Sequence, residues 1–265
     1  MVSQNNSESL ISQNRLEFYL SNDGAAFALF SQNSGGVTSY YDCMNLLLEG
    51  SQQQVMQIVD EGLILPVGTY QDDGFSLRVV VGELNAQEEA QWTARIGGKL
   101  CIPYGRLILC GGFDIELPES DLPVAQYAGQ YDICQVEVPA GDYQAFIYSY
   151  PPHDLSGSWL KIIGPAQGKT YLGISPVAES LATYFERTRP GEVPPSWIAY
   201  ELGLLDYEQY SQDVTTPGYI NFVLQLIPRQ QEFDCSKLDE TGCLVWEDRK
   251  PQQCPVGIKM ITPLL

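Results

Sequence analysis

The chain has 265 residues, 44% of them apolar, so it can bury a sizeable core in one large or two small domains and is not a disordered polymer. Acidic residues number 33 against 14 basic, a net charge of −19 that repels nucleic acid and anionic membrane and suits a basic protein partner. No stretch approaches the ~20 apolar residues of a membrane span, and an odd cysteine count of seven with no apolar leader points to reduced thiols and a cytoplasmic location.

Residues 1–14 are polar and read as a flexible tail. Arg15–Leu20 and Ala25–Ser31 are strand-like runs around Ser21-Asn22-Asp23-Gly24, and Asp-Gly between apolar runs predicts a hairpin. Ser51 can cap a helix, Gln54 can complete a capping box, and Gly62 can end it in the left-handed region. Val55, Met56, Ile58 and Val59 give that helix one apolar face. The same grammar recurs at Asn85 and Glu88, with Trp92 and Ile96 expected inside the helix and Gly97 as its stop.

A turn motif, apolar-Pro-x-Gly, then recurs three times, at Leu65-Pro66-Val67-Gly68, Ile102-Pro103-Tyr104-Gly105 and Val138-Pro139-Ala140-Gly141. Pro presets φ and Gly accepts a positive φ, so each copy predicts a turn into a strand. Phe75–Val81, Arg106–Cys110 and Tyr143–Tyr150 are the extended runs nearby. If Tyr104-Gly105 closes a hairpin, Cys101 and Cys110 share one of its faces.

Past Pro151-Pro152 the texture changes. Trp159–Ile163 reads as a short strand, Ser175-Pro176 opens a helix reaching Arg187, and Pro194-Pro195 starts another ending near Leu202. Tyr219–Ile227 is the strongest strand, and Gly257–Ile261 is a candidate partner. The predicted fold class is α+β, predominantly antiparallel. It comprises a sandwich-like β-rich domain over 15–168 with short capped helices, and a smaller α+β region over 169–265 carrying a long loop, 230–255. The two regions could also pack as one unit.

Few residues carry chemical grammar. Gly164-Pro165-Ala166-Gln167-Gly168-Lys169-Thr170 is one residue short of a phosphate-binding loop and lacks the helix that would follow one. His153, the sole histidine, sits in a polar turn without a nucleophile elbow. Cys235, Cys243 and Cys254 are weak zinc candidates, since neither spacing is the knuckle that preorganises two thiolates. Asp114, Glu116, Glu119 and Asp121 cluster, yet lack the spacing of a calcium loop. No cofactor is called for.

Tyrosine supplies large contact area at interfaces, and Tyr143, Phe146, Tyr148 and Tyr150 crowd one strand. The run Gln135-Val136-Glu137-Val138-Pro139-Ala140-Gly141-Asp142-Tyr143-Gln144 and its aromatic continuation, residues 135–150, resembles part of the DNA-entry nuclease inhibitor (competence J-like) family. Members are small acidic β-sandwich inhibitors of a nuclease. The resemblance implies a β-sandwich N-terminal half and an acidic binding role, and it carries over no functional residue. The expected function is a non-catalytic acidic binding protein, an inhibitor or immunity-type factor, docking a basic partner near Asp142, Tyr143, Tyr148, Tyr150 and His153. A hydrolase using the 114–121 carboxylates or His153, and a structural domain, stand as alternatives, with oligomeric state open.

Overall fold

The computed structural model describes residues 15–22, 26–31, 50–69, 74–111, 122–151, 160–161, 179–213, 218–229, 235–237 and 244–261. In chain order these form β1 (Arg15–Leu20), β2 (Ala26–Ser31), α1 (Gln52–Asp60), β3 (Ile64–Gly68), β4 (Phe75–Val81), α2 (Ala86–Gln91), β5 (Ala94–Ile102) and β6 (Arg106–Cys110). Then follow β7 (Gln130–Tyr131), β8 (Ile133–Glu137), β9 (Gly141–Ser149), β10 (Leu160–Lys161), β11 (Glu179–Ser180), α3 (Leu181–Thr188) and α4 (Ser196–Glu201). The last elements are α5 (Tyr207–Asp213), β12 (Tyr219–Ile220), β13 (Phe222–Pro228), β14 (Glu247–Asp248) and β15 (Ile258–Lys259). The architecture is α+β with mostly antiparallel pairing, as expected.

Two sheets share one apolar core. The larger runs β14-β5-β9-β13-β4-β1-β7 and the smaller β3-β2-β6-β8. Alternation along the strands sends Phe18, Leu77, Ile147, Phe222 and Leu224 of the large sheet toward Phe27, Leu29, Leu65 and Leu107 of the small one. Phe27 meets Phe75 at 4.9 Å and Phe222 at 5.9 Å between ring centroids, which ties the sheets together at one point. β13, from beyond the boundary expected at 168, lies between β9 and β4, parallel to β4 and antiparallel to β9.

The hairpin expected between β1 and β2 does not form. β1 pairs with β4 and β7, whereas β2 pairs with β3 and β6 in the other sheet. Apolar residues of both strands are needed on opposite sides of the core, so the chain crosses between sheets there. The β5–β6 hairpin fails for the same reason. Cys101 and Cys110 therefore sit in different sheets rather than on one hairpin face.

Two of the three Pro-x-Gly copies are these crossings. The second takes β5 of the large sheet to β6 of the small one, and the third takes β8 back to β9. The two corners run side by side: Ile102 pairs with Gly141, Arg106 with Glu137, and the Val138 amide donates to the Gly105 carbonyl at 2.9 Å. The first copy makes no turn. It lies inside β3, an outermost strand of its sheet, the position in a sheet that tolerates proline.

The Ser51 and Asn85 capping boxes are both present. α1 closes on Gly62 at φ 74°, with the Leu63 amide bonded to the Ile58 carbonyl at 2.9 Å and Leu63 buried. α2 stops earlier than expected, because Trp92 turns extended and Ile96 and Gly97 belong to β5. Gly97 cannot be a helix stop there; a Cβ on it would lie 2.7 Å from the Phe146 ring of the neighbouring strand. α3 begins after a Ser180 cap rather than at Ser175, and residues 175–178 lie outside the described residues. The candidate partner of the last long strand is real but short: β15 pairs with β12 alone.

The outer face of the large sheet is also covered. Val80, Trp92, Tyr148, Tyr150, Ile220, Val223, Ile258 and Met260 make a second apolar cluster, and Leu181, Tyr184, Phe185, Trp197, Ile198 and Cys254 a third. Among the described residues no helix is long and apolar enough to cross a membrane.

Candidate functional site

The tyrosines of β9 divide between the two faces of the sheet. Tyr143 points into the inter-sheet core, and its hydroxyl donates to the Pro139 carbonyl four residues back, stapling the β8–β9 corner. Tyr148 and Tyr150 lie on the outer face. The Tyr148 hydroxyl donates to Gln225 Oε1 at 3.0 Å and the Tyr150 hydroxyl to the Glu88 carbonyl at 2.7 Å. Burial pushes all three phenols up, Tyr150 furthest. Buried and internally bonded, these rings contribute no contact surface to a partner. Asp142 is exposed and faces Arg229 at 3.4 Å. His153 lies outside the described residues, as do Cys243, the 164–170 loop and all four carboxylates between 114 and 121.

Cys254 packs against α3 and α4, its thiol pushed up to about 12 by burial, and Cys235 is half-buried beside β5. Among the described residues no three His, Cys, Asp or Glu side chains gather as metal ligands would.

The most developed polar constellation is buried. Arg78 of β4, 3% exposed, places Nη2 2.6 Å from Glu17 Oε1 and Nη1 2.8 Å from Glu88 Oε1. Arg15 reaches Glu88 Oε2 at 2.9 Å. The cross-strand register Glu17↔Arg78 makes the first contact, and α2 brings the second carboxylate over the sheet. Glu88 also accepts the Asn85 amide at 2.7 Å, so one side chain closes the capping box and joins the ion cluster. Burial alone would raise the Glu88 carboxyl, but Arg15, the Asn85 amide and Arg78 together hold it below its ordinary value. The Ile261 amide donates to Glu17 Oε2 at 2.7 Å, and Arg78 Nη2 donates to the Lys259 carbonyl at 3.1 Å. Every oxygen of this cluster faces an internal donor, which fits a structural clamp.

The exposed constellation is on α4 and α5. α4 ends in a left-handed Gly203 at φ 68°, with the Gly203 amide on the Tyr200 carbonyl and the Leu204 amide on the Ala199 carbonyl at 2.8 Å. In this closure the leucine normally folds back against its helix. Leu63 does so after α1, whereas Leu204 is 65% exposed. α5 then starts with a reciprocal cap, the Gln209 amide on Asp206 Oδ1 at 2.8 Å and the Asp206 amide on Gln209 Oε1 at 3.0 Å. Tyr210 stacks on Tyr200 at 4.7 Å, and Tyr207, 70% exposed, meets Tyr200 edge-on at 6.4 Å. Burial raises the Tyr210 phenol, with Glu201 adding to the effect. From Pro190 to Pro228 the sequence holds Glu192, Glu201, Asp206, Glu208 and Asp213 and not one Lys, Arg or His. That run, with tyrosines at 200, 207 and 210, is the sequence signal of an acidic aromatic surface, and it lies outside the β9 residues expected to bind.

No protein-family model and no curated protein sequence matches the chain. Two solved structures are weakly similar over most of its length. One, described as crocagin biosynthetic gene J, is 12% identical with a TM-score of 0.37, covering 82% of this chain and 97% of its own. The other is ComJ, inhibitor of the DNA degrading activity of NucA, from Bacillus subtilis, 7% identical with a TM-score of 0.32, covering 80% and 95%. The family that residues 135–150 resemble thus returns as a faint whole-chain likeness, too weak to bear on this chain's activity or partner.

Proposed function

We propose that this chain is a non-catalytic binding protein that docks a basic protein partner through the α4–α5 turn. The observation that carries the reading is the exposed pair Leu204 and Tyr207 inside a 39-residue span, 190 to 228, without a single basic side chain. Exposed leucine and tyrosine supply apolar anchors, and Asp206 and Glu208 beside Tyr207 would pair with Lys or Arg at the rim. Arginine can also lie over the tyrosine faces. Long-range attraction from a net charge of −19 would speed the encounter.

The test compares wild type with Leu204→Ser/Tyr207→Ala as bait in lysate of the cells that make the protein, with captured proteins identified at low and high salt. The expected result is a basic protein retained by wild type, released by salt, and lost by the double variant. A captured partner of acidic character, or one that the double variant holds equally well, overturns the reading.

A further inference from the structure

Basic side chains are scarce in this chain, 14 in 265 residues, yet five of them share one neighbourhood. Arg249 and Arg95 lie over Trp92, at 3.5 and 5.2 Å from the ring centroid. Arg187 and Lys250 converge on Glu179, at 2.9 and 2.7 Å, beside the Tyr184 ring. Arg189, Arg249 and Lys250 line a cleft of about 430 Å³ with Ala90, Gln91 and Gln252, where the end of α2 meets the end of α3 and residues 249–253. The paired carboxylates are Glu89, Glu179, Glu192 and Glu247, four against five. Glu186 and Asp248 flank Arg187 and Arg249 in the chain, so cations are concentrated here without a net positive charge, in a molecule otherwise poor in basic side chains.

The cleft walls are built rather than draped. Arg249 Nη2 donates to the Glu89 carbonyl at 2.7 Å and the Trp92 carbonyl at 3.0 Å, and its own amide donates to Thr93 at 2.8 Å. The Tyr184 hydroxyl donates to the Pro251 and Gln253 carbonyls, and Arg189 Nε to the Cys254 carbonyl. Three segments far apart in sequence are thus fixed around one concavity, lined by Arg189, Arg249 and Lys250 together with the exposed Gln252 and Gln253.

We propose that this cleft binds a small soluble phosphate-bearing molecule, with Arg189, Arg249 and Lys250 as its anion contacts. One resident carboxylate is loosely held: Glu89 stands 3.8 Å from Arg249 and is 62% exposed. Glu192 bonds Arg189 at 2.8 Å, but at 51% exposure that pair is screened by solvent and opens at small cost. A ligand with one carboxylate would merely exchange with them. A phosphate monoester carries roughly −1.5 to −2 charges and three acceptor oxygens, enough to engage several cations at once. Burial disfavours the charged form of Arg249, and a bound anion relieves that penalty. Repulsion from carboxylates elsewhere fades beyond the ~8 Å screening length of physiological salt. An anionic membrane would face the whole acidic surface, which leaves a soluble ligand.

The experiment is a titration of the full chain with inorganic phosphate and then glycerol phosphate at constant ionic strength, read by amide chemical shifts. Saturable shifts centred on Arg249, Lys250 and Gln252 are expected. Gln252→Glu leaves every wall contact described above in place, and one added charge at the mouth should weaken binding by roughly fivefold. Lys250→Gln should weaken it similarly. Linear shifts without saturation, equal shifts from chloride at the same ionic strength, or unchanged affinity in Gln252→Glu overturn the proposal. So does binding to phosphatidic acid vesicles in the absence of any phosphate response. None of these outcomes depends on the α4–α5 surface, so the two proposals fail separately.

Discussion

A guanidinium 3% exposed between two fully buried carboxylates persists because each of its donors has an acceptor and each carboxylate oxygen a donor. Removing Arg78 leaves the buried Glu17 carboxylate without a cation and Glu88 with Arg15 and the Asn85 amide alone, in a low-dielectric layer where water cannot replace the lost partner. Arg78→Met should therefore cost ~3–5 kcal/mol, read as a lower urea midpoint, with the loss reduced when Glu17→Gln is added. A loss below ~1 kcal/mol would mean that the cluster is hydrated, as exposed pairs are. Glu88 was legible in the sequence as a capping residue, because Asn85 stands three positions before it. Its second role was not, since the ion cluster exists only once the β1–β4 register places Glu17 beside Arg78. The β9 tyrosines show the same limit. Alternation puts Tyr148 and Tyr150 opposite Tyr143, but the cover over their face comes from Ile258 and Met260, over a hundred residues downstream.

At the scale of elements, the Pro-x-Gly motif marks a turn at two of its three copies, and neither turn closes a hairpin. A turn residue fixes how the backbone reverses; it does not choose between pairing with the same sheet and crossing to the facing one. That choice belongs to the apolar faces of the strands on either side, and here they must meet across the core. Gly105 is the position where this matters most. Its φ is +69°, and a Cβ there would lie 2.6 Å from the Val138 carbonyl oxygen of the adjacent corner. Gly203 has a near-equal φ of +68° with nothing within 4 Å of its Cβ position. Gly203→Ala should therefore cost only the left-handed strain of ~1–2 kcal/mol. Gly105→Ala pays the same strain plus the displacement of a backbone carbonyl shared by two corners, and should be clearly the more destabilised in thermal unfolding. Equal losses at the two sites would show that the corners are not packed against each other as described. Capping boxes were the most legible elements, because each is decided within a few residues, whereas the helix stop expected at Gly97 falls inside β5; sheet partnership was the least, because β13 pairs with β4 residues 145 positions earlier.

For the whole molecule, two opposing charge effects set the response to acid. With 33 acidic and 14 basic residues, lowering the pH from neutrality first removes like-charge repulsion, which stabilises the compact state. Paired carboxylates act the other way. Glu179, held by Arg187 and Lys250, has its pKa lowered from 4.5 to about 2, and Glu88 is also below its ordinary value. A carboxyl depressed in the folded state contributes stability that is fully present above its unfolded pKa and is lost as the pH falls through its folded one. The window for Glu179 thus runs from 4.5 down to about 2. The melting temperature should accordingly rise on mild acidification, peak at about pH 5, and fall below it. Glu179→Gln should flatten part of that acid limb while leaving the rise from neutrality intact, since it removes one titrating pair and hardly changes the net charge. Dilute samples are needed near the sequence pI of 4.2, where vanishing net charge favours precipitation. Added salt at pH 7 should mimic the first effect, raising the melting temperature by screening. A melting temperature that falls steadily from pH 7 would mean that paired carboxylates outweigh the repulsion among unpaired ones across the whole range.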